Sequence, residues 1–164
     1  MIKMPELTAL FEALGFIKVK TYIQSGNIVF QYSKKKAEEL QKLIQQKIEE
    51  RFGLKVPAMV KTKDEIEKAI SENPFIAKTN VDVSKLHVTF LSEVPQQADI
   101  DKINAEQYKP DEFIIVGSNI YLYCPSGYGN TKLNNNFFES KLKVVATTRN
   151  WKTVNELLNI ATTI

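Results

Sequence analysis

Two apolar runs, Glu112-Phe113-Ile114-Ile115-Val116 and Ile120-Tyr121-Leu122-Tyr123-Cys124, flank the turn Gly117-Ser118-Asn119. β-branched and aromatic residues on either side of a short glycine-containing turn read as a β-hairpin. Working outward, Leu86-His87-Val88-Thr89-Phe90-Leu91 reads as an earlier strand, with a helix expected near 99–107 between it and the hairpin. A helix near 131–142 and a strand near 144–148 follow. A last helix opens with Thr153 and Glu156 in capping-box spacing and carries Val154, Leu157, Leu158 and Ile160 inward.

Before the final helix this order is β-α-β-β-α-β, a ferredoxin-like split unit. The first half repeats it with one element missing. Pro5 suits a first helical position, and Leu7, Leu10, Phe11 and Leu14 follow at helical spacing up to Gly15. Residues 16–24 read as a strand, with Val19, Thr21 and Ile23 alternating against Lys20 and Tyr22. Ser25-Gly26-Asn27 is a turn, and Ile28, Phe30 and Tyr32 alternate on the return strand. A helix over 33–52 carries the stripe Ala37, Leu40, Leu43, Ile44, Ile48 and Phe52, and Gly53 closes it. Residues 54–61 read as a strand. Thr62 and Glu65 form a capping box for a helix that stops before Asn73-Pro74-Phe75.

The expected fold is therefore α+β. Two ferredoxin-like (βαββαβ) halves arise from an internal duplication, the first lacking its opening strand, and a C-terminal helix is added. The expected domains are 1–75 and 76–164. The missing strand is central in such a sheet, so its neighbours would be left unpaired. The first sheet is expected to be rearranged or completed by another chain, which makes a homodimer one expected partner.

Hydrophobic residues are 43% and charged residues 25% of the 164, the profile of a globular chain able to bury a core. The charge of +3 is too mild to require nucleic acid and does not forbid it. Cys124 is the only cysteine, so a reducing, cytoplasmic location is expected and a buried, inert thiol is favoured over a nucleophile. No apolar run reaches membrane-spanning length and no apolar signal core opens the chain.

Several motifs together resemble the bacterial family named domain of unknown function 1697. They are Thr21-Tyr22-Ile23-Gln24-Ser25-Gly26-Asn27, Asn73-Pro74-Phe75, Lys85-Leu86-His87-Val88, Pro125-Ser126-Gly127-Tyr128-Gly129-Asn130-Thr131-Lys132-Leu133 and Ala146-Thr147-Thr148-Arg149-Asn150-Trp151. The resemblance implies paired ferredoxin-like units and no particular activity. Members of that family usually begin with a strand and a glycine-rich stretch, and Met1 to Met4 would fall just after it.

Gly127-Tyr128-Gly129-Asn130-Thr131-Lys132 links a strand to an expected helix start, with Thr131 as N-cap and Lys132 in the first turn. Free N–H groups and a positive helix end suit phosphate or carboxylate, yet glycines and a cap residue also serve any tight turn. Lys132, Asn135 and Glu139 share a helix stripe that solvent alone would explain. Arg149 could meet an anion, with Asn150 beside it. Trp151 is expected to pack under the last helix. Gln24, Ser25 and Asn27 are foremost hairpin residues that could also line a site. His87 has no acid–base partner identifiable by spacing, so a Ser-His-Asp set lacks support. No metal site or cofactor is expected, and no catalytic residue is assigned. The favoured function is a non-catalytic module for a phosphate-bearing ligand, a nucleotide or single-stranded nucleic acid. The alternatives are an enzyme acting on a small molecule in a cleft between halves, and a structural or oligomerising protein.

Overall fold

The computed structural model describes residues 2–22 and 26–164. The chain divides into two units, Met1–Glu67 with Glu156–Ile164, and Lys68–Asn155. The fold mixes helices with two antiparallel sheets and ends in a helix.

In the first unit, helix α1 (Met4–Ala13) has proline in its first turn and buries Leu7 and Phe11, one turn apart. Strand β1 (Ile17–Tyr22) pairs antiparallel with β2 (Asn27–Gln31). Between helix and strand, the Phe16 ring stacks on Phe30 at 4.4 Å and meets Phe11 edge-on at 5.4 Å. The alternation expected along β1 is broken. Its register shifts between Ile17 and Lys20, and Lys18 takes a φ of 53°. This irregularity re-aims the strand, so Val19 and Tyr22 are half-buried while Thr21 is exposed. Ile23 and Ser25, expected in the strand and turn, lie outside the described residues. Helix α2 (Ala37–Phe52) buries Leu40, Ile44 and Ile48 and ends on Gly53, whose φ of 70° is the left-handed cap expected of it.

Residues 54–61 are not a strand, contrary to expectation; no ladder includes them. Their amides bond side chains instead. Ala58 N donates to Gln45 Oε1 at 2.8 Å, and Val60 N donates to Gln41 Oε1 at 2.9 Å. The match is metric. Four residues along a helix rise about 6 Å, and two residues along an extended chain advance about 6.6 Å. Glutamines one turn apart therefore reach alternate amides.

Helix α3 (Lys63–Ser71) follows, and its capping box forms as expected. Thr62 N donates to Glu65 Oε1 at 3.0 Å, and Glu65 N donates to Thr62 Oγ1 at 3.1 Å. In the second unit, Asn73 Oδ1 accepts from Phe75 N at 3.0 Å and sets the turn that buries Phe75. Strand β3 (Leu86–Leu91), helix α4 (Gln97–Ile100), β4 (Glu112–Val116), β5 (Asn119–Tyr123), helix α5 (Asn135–Leu142), β6 (Ala146–Asn150) and helix α6 (Trp151–Thr163) complete the chain. The sheet order is β4-β5-β3-β6, every pair antiparallel. β3 and β5 are thus paired on both edges. One face packs Leu91, Ile120, Leu122 and Cys124 against Leu133, Phe138 and Leu142. On the other, Tyr121 Oη donates to Ala69 O at 2.7 Å.

Four expected helices begin or end elsewhere, the helix expected over 33–52 starting only at Ala37. The helix expected at 99–107 is the short α4 plus a 3-10 turn, Ala105–Tyr108, because Asn104 Oδ1 accepts from Glu106 N and starts a new turn. α5 is capped by Asn134, which accepts from Phe137 N at 2.9 Å, not by Thr131. α6 opens at Trp151, with Asn150 Oδ1 accepting from Thr153 N at 2.8 Å, so the Thr153–Glu156 box is replaced by an asparagine cap.

Removing either glutamine staple leaves a part-buried amide unpaired. Gln41→Ala and Gln45→Ala should each lower unfolding free energy by about 1 kcal/mol. Gln46→Ala, on the exposed face of α2, should change it by less than about 0.5 kcal/mol. Urea unfolding of the three variants checks both.

Candidate functional site

The glycine loop of the second unit is built by its own hydrogen bonds. Gly127 sits at φ 93°, a conformation that strains any side-chain-bearing residue. Tyr128–Asn130 is a 3-10 turn, and Asn130 Nδ2 donates to Ser126 O at 2.8 Å. Thr131 Oγ1 accepts from Leu133 N at 3.1 Å. Gly129 has open space where a Cβ would stand, so no close backbone approach accounts for it. Lys132 is exposed and precedes Asn134, so it stands outside the first turn of α5 where it was expected.

The loop lies over one end of the sheet. The Tyr128 ring stacks on the His87 imidazole, with centroids 4.8 Å apart. His87 stands opposite Asn150 in the β3–β6 ladder. Two residues along, Thr89 faces Thr148, and their hydroxyls are 2.7 Å apart. Thr148 Oγ1 donates to Asn135 Oδ1 at 2.6 Å, so the proton in the threonine pair comes from Thr89. Loop, sheet end and start of α5 are thereby tied into one polar patch. Asp111 Oδ1 is buried without a hydrogen-bond partner among the described residues and acts electrostatically on Cys124, while the half-buried His87 ring has only a weak hydrogen bond with the Lys85 backbone. Burial pushes the His87 imidazole below its usual 6.5, and a weaker opposing contribution from the Lys85 backbone does not cancel it. Cys124, hydrogen-bonded by Thr131, is pushed up to about 11, chiefly by burial, with Asp111 adding to the rise. Such a thiol is not a nucleophile at neutral pH.

The remaining candidates are placed as follows. Glu139 Oε2 accepts from Ala146 N at 3.0 Å and closes the α5–β6 connection. Arg149 Nη1 donates to Thr147 Oγ1 at 3.0 Å and to Thr148 O at 2.9 Å. Strand alternation puts Arg149 on the sheet face opposite Thr148 and Asn150. Burial pushes the Arg149 guanidinium below its ordinary range. Asn150 spends its carbonyl on the α6 cap. In the first unit, Asn27 is buried and its Nδ2 donates to Tyr22 O at 3.2 Å. Gln24 and Ser25 lie outside the described residues. The structure thus joins Gly127, Gly129, Thr131, Asn135 and Asn150 around one patch, and gives Glu139 and Asn27 local bonding roles.

Sequence reasoning missed His87, Tyr128, Asp111 and Thr148 as members of this patch. Their sequence spacing carries no signal. Cross-strand register brings them together. A separate groove of about 580 Å³ in the first unit is lined by Lys18, Lys20, Thr21, Ile160, Thr163 and Ile164 and contains none of the candidates. No helix of the described residues is long and apolar enough to cross a membrane, and no group of three or more His, Cys, Asp or Glu there could hold a metal ion.

Among solved structures, a conserved bacterial protein of Streptococcus pneumoniae is similar to this chain, with a TM-score of 0.66 and 20% identity over 98% of this chain and 89% of the other. At that identity the likeness concerns the fold alone. No curated protein matches. The model of a family described as protein of unknown function, DUF1697, matches residues 1–121, and the chain belongs to that family.

Proposed function

We propose that the protein is a non-catalytic module that binds a phosphate-bearing ligand, a nucleotide or a single-stranded nucleic acid, beside the glycine loop of the second unit. The observation that carries this reading is Asp111 Oδ1, buried without a hydrogen-bond partner among the described residues and near enough to Cys124, at the start of the loop, to raise its thiol. Leaving such an atom unsatisfied costs about 1–3 kcal/mol, which a ligand's hydroxyl or amine would offset. The exposed Lys132 ammonium supplies positive charge for phosphate, and Tyr128 offers an aromatic ring for a base. The raised Cys124 thiol and the lowered His87 imidazole favour binding over nucleophilic or acid catalysis at neutral pH. The buried thiol also accords with a reducing, cytoplasmic setting.

The fold proposal belongs here too. The strand order β4-β5-β3-β6, all antiparallel, supports reading the second unit as ferredoxin-like. The succession α1, β1, β2, α2 and the extended segment 54–61 supports reading the first unit as a second copy of that pattern from its first helix onward.

Titration of the protein with nucleoside monophosphates, followed by amide chemical shifts, tests the binding reading. Shifts at Gly127, Gly129 and Leu133 are expected, with affinity falling about tenfold in Lys132→Ala, equivalent to about 1.4 kcal/mol. Shifts confined to other residues, or none, would remove the site.

A pH test reads His87 itself. Its folded pKa is lowered, so its contribution is intact above 6.5 and is lost as pH falls through the lowered value. Thermal stability should therefore drop below pH 6.5, and His87→Gln should drop less. An identical acid loss in both proteins would place the sensitivity elsewhere.

A further inference from the structure

The groove of about 580 Å³ in the first unit is lined from β1 by Lys18, Lys20 and Thr21, and from the end of α6 by Ile160, Thr163 and Ile164. Its volume is that of an ordinary small-molecule site. The α6 contribution is apolar. Ile164 N donates to Ile160 O at 3.2 Å, so the two isoleucines stand one helical turn apart on one face. Both are half-buried and form an apolar wall about 6 Å long.

The β1 contribution is cationic. Lys18 and Lys20 are exposed, and among the described residues no carboxylate stands within ion-pair distance of either. Cations near the end of a helix offset its negative pole, but the carbonyls there already have donors. Thr162 Oγ1 donates to Leu158 O at 2.9 Å, Thr163 Oγ1 to Ile160 O at 3.0 Å and Gln31 Nε2 to Ile164 O at 3.1 Å. The strand is also irregular at this point. Its register shifts between Ile17 and Lys20, and Lys18 is held at φ 53°, a strained conformation for a lysine. Irregularities of this kind re-aim side chains beside binding sites. The surrounding sequence is positive as well: residues 13–37 carry Lys18, Lys20, Lys34, Lys35 and Lys36 and no aspartate or glutamate.

We propose that this groove binds a small organic anion whose charge sits at one end of a short apolar chain. Lys18 and Lys20 meet the charged head, and Ile160 and Ile164 meet the chain. An apolar wall of one helical turn suits a short chain and not a long acyl chain. Recognition requires both ends, because exposed lysines alone hold an anion weakly. The proposal is independent of the reading of the glycine loop, which shares no residue with this groove.

Hexanoate, added to the isotope-labelled full chain and followed by amide chemical shifts, tests this. Shifts are expected at Lys18, Lys20, Thr21, Thr163 and Ile164, and binding should weaken as salt is raised. Lys18→Asn keeps a residue that tolerates a positive φ. Combined with Lys20→Gln it should weaken hexanoate binding about tenfold, while Lys20→Arg alone should retain it. An unchanged amide spectrum outside the groove checks that the variants fold. Equal binding of 1-hexanol would show that charge plays no part, and equal binding of inorganic phosphate would show that the apolar wall plays none; either result overturns the proposal. Hexanoate shifts that are absent, or that lie away from these residues, overturn it too. Co-sedimentation with phosphatidylglycerol vesicles, with no response to hexanoate, would make the lysines a membrane contact and overturn the small-molecule reading.

Discussion

Backbone amides and carbonyls removed from water must find partners, and this requirement organises both units. In the second unit it is met by β3, bonded on both edges, around which the sheet and the α5 face assemble. Among the described residues of the first unit, no strand stands at the corresponding place. The requirement is met there by Gln41 and Gln45, which reach from one helix face to alternate amides of an extended segment. Each polar staple stands in for a ladder bond but supplies no apolar surface, and Leu54 and Val56 remain exposed.

Most of this was legible in the sequence where a local device decides structure. The Thr62–Glu65 capping box, Pro5 in the first turn of α1, the left-handed cap at Gly53 and the hairpin around Gly117 all form as read. The reading failed where the outcome depends on a distant partner. Residues 54–61 have strand-like composition, but a strand exists only with a neighbour to pair with. Alternation along β1 was misjudged because the register shift near Lys18 leaves no trace in hydrophobic pattern. The caps of α5 and α6 were misplaced because asparagine at 134 and 150 outcompetes threonine nearby, a contest decided by geometry.

The candidate site shows the same division. Its glycine loop was visible in the sequence because a left-handed turn needs glycine at 127. Its remaining members were not, because His87, Asp111 and Thr148 are joined to it through strand register and a helix start. Arg149, conspicuous in sequence, instead bonds its neighbours on the opposite sheet face.

The central claim is that side chains, not a strand, hold segment 54–61 in the first unit. Scalar couplings across hydrogen bonds, measured by NMR on isotope-labelled protein, read this directly. The account predicts couplings from the Ala58 and Val60 amides to the side-chain carbonyl carbons of Gln45 and Gln41 respectively. Couplings from those amides to backbone carbonyls within Asn27–Gln31 would contradict it, because 54–61 would then be a strand paired with β2.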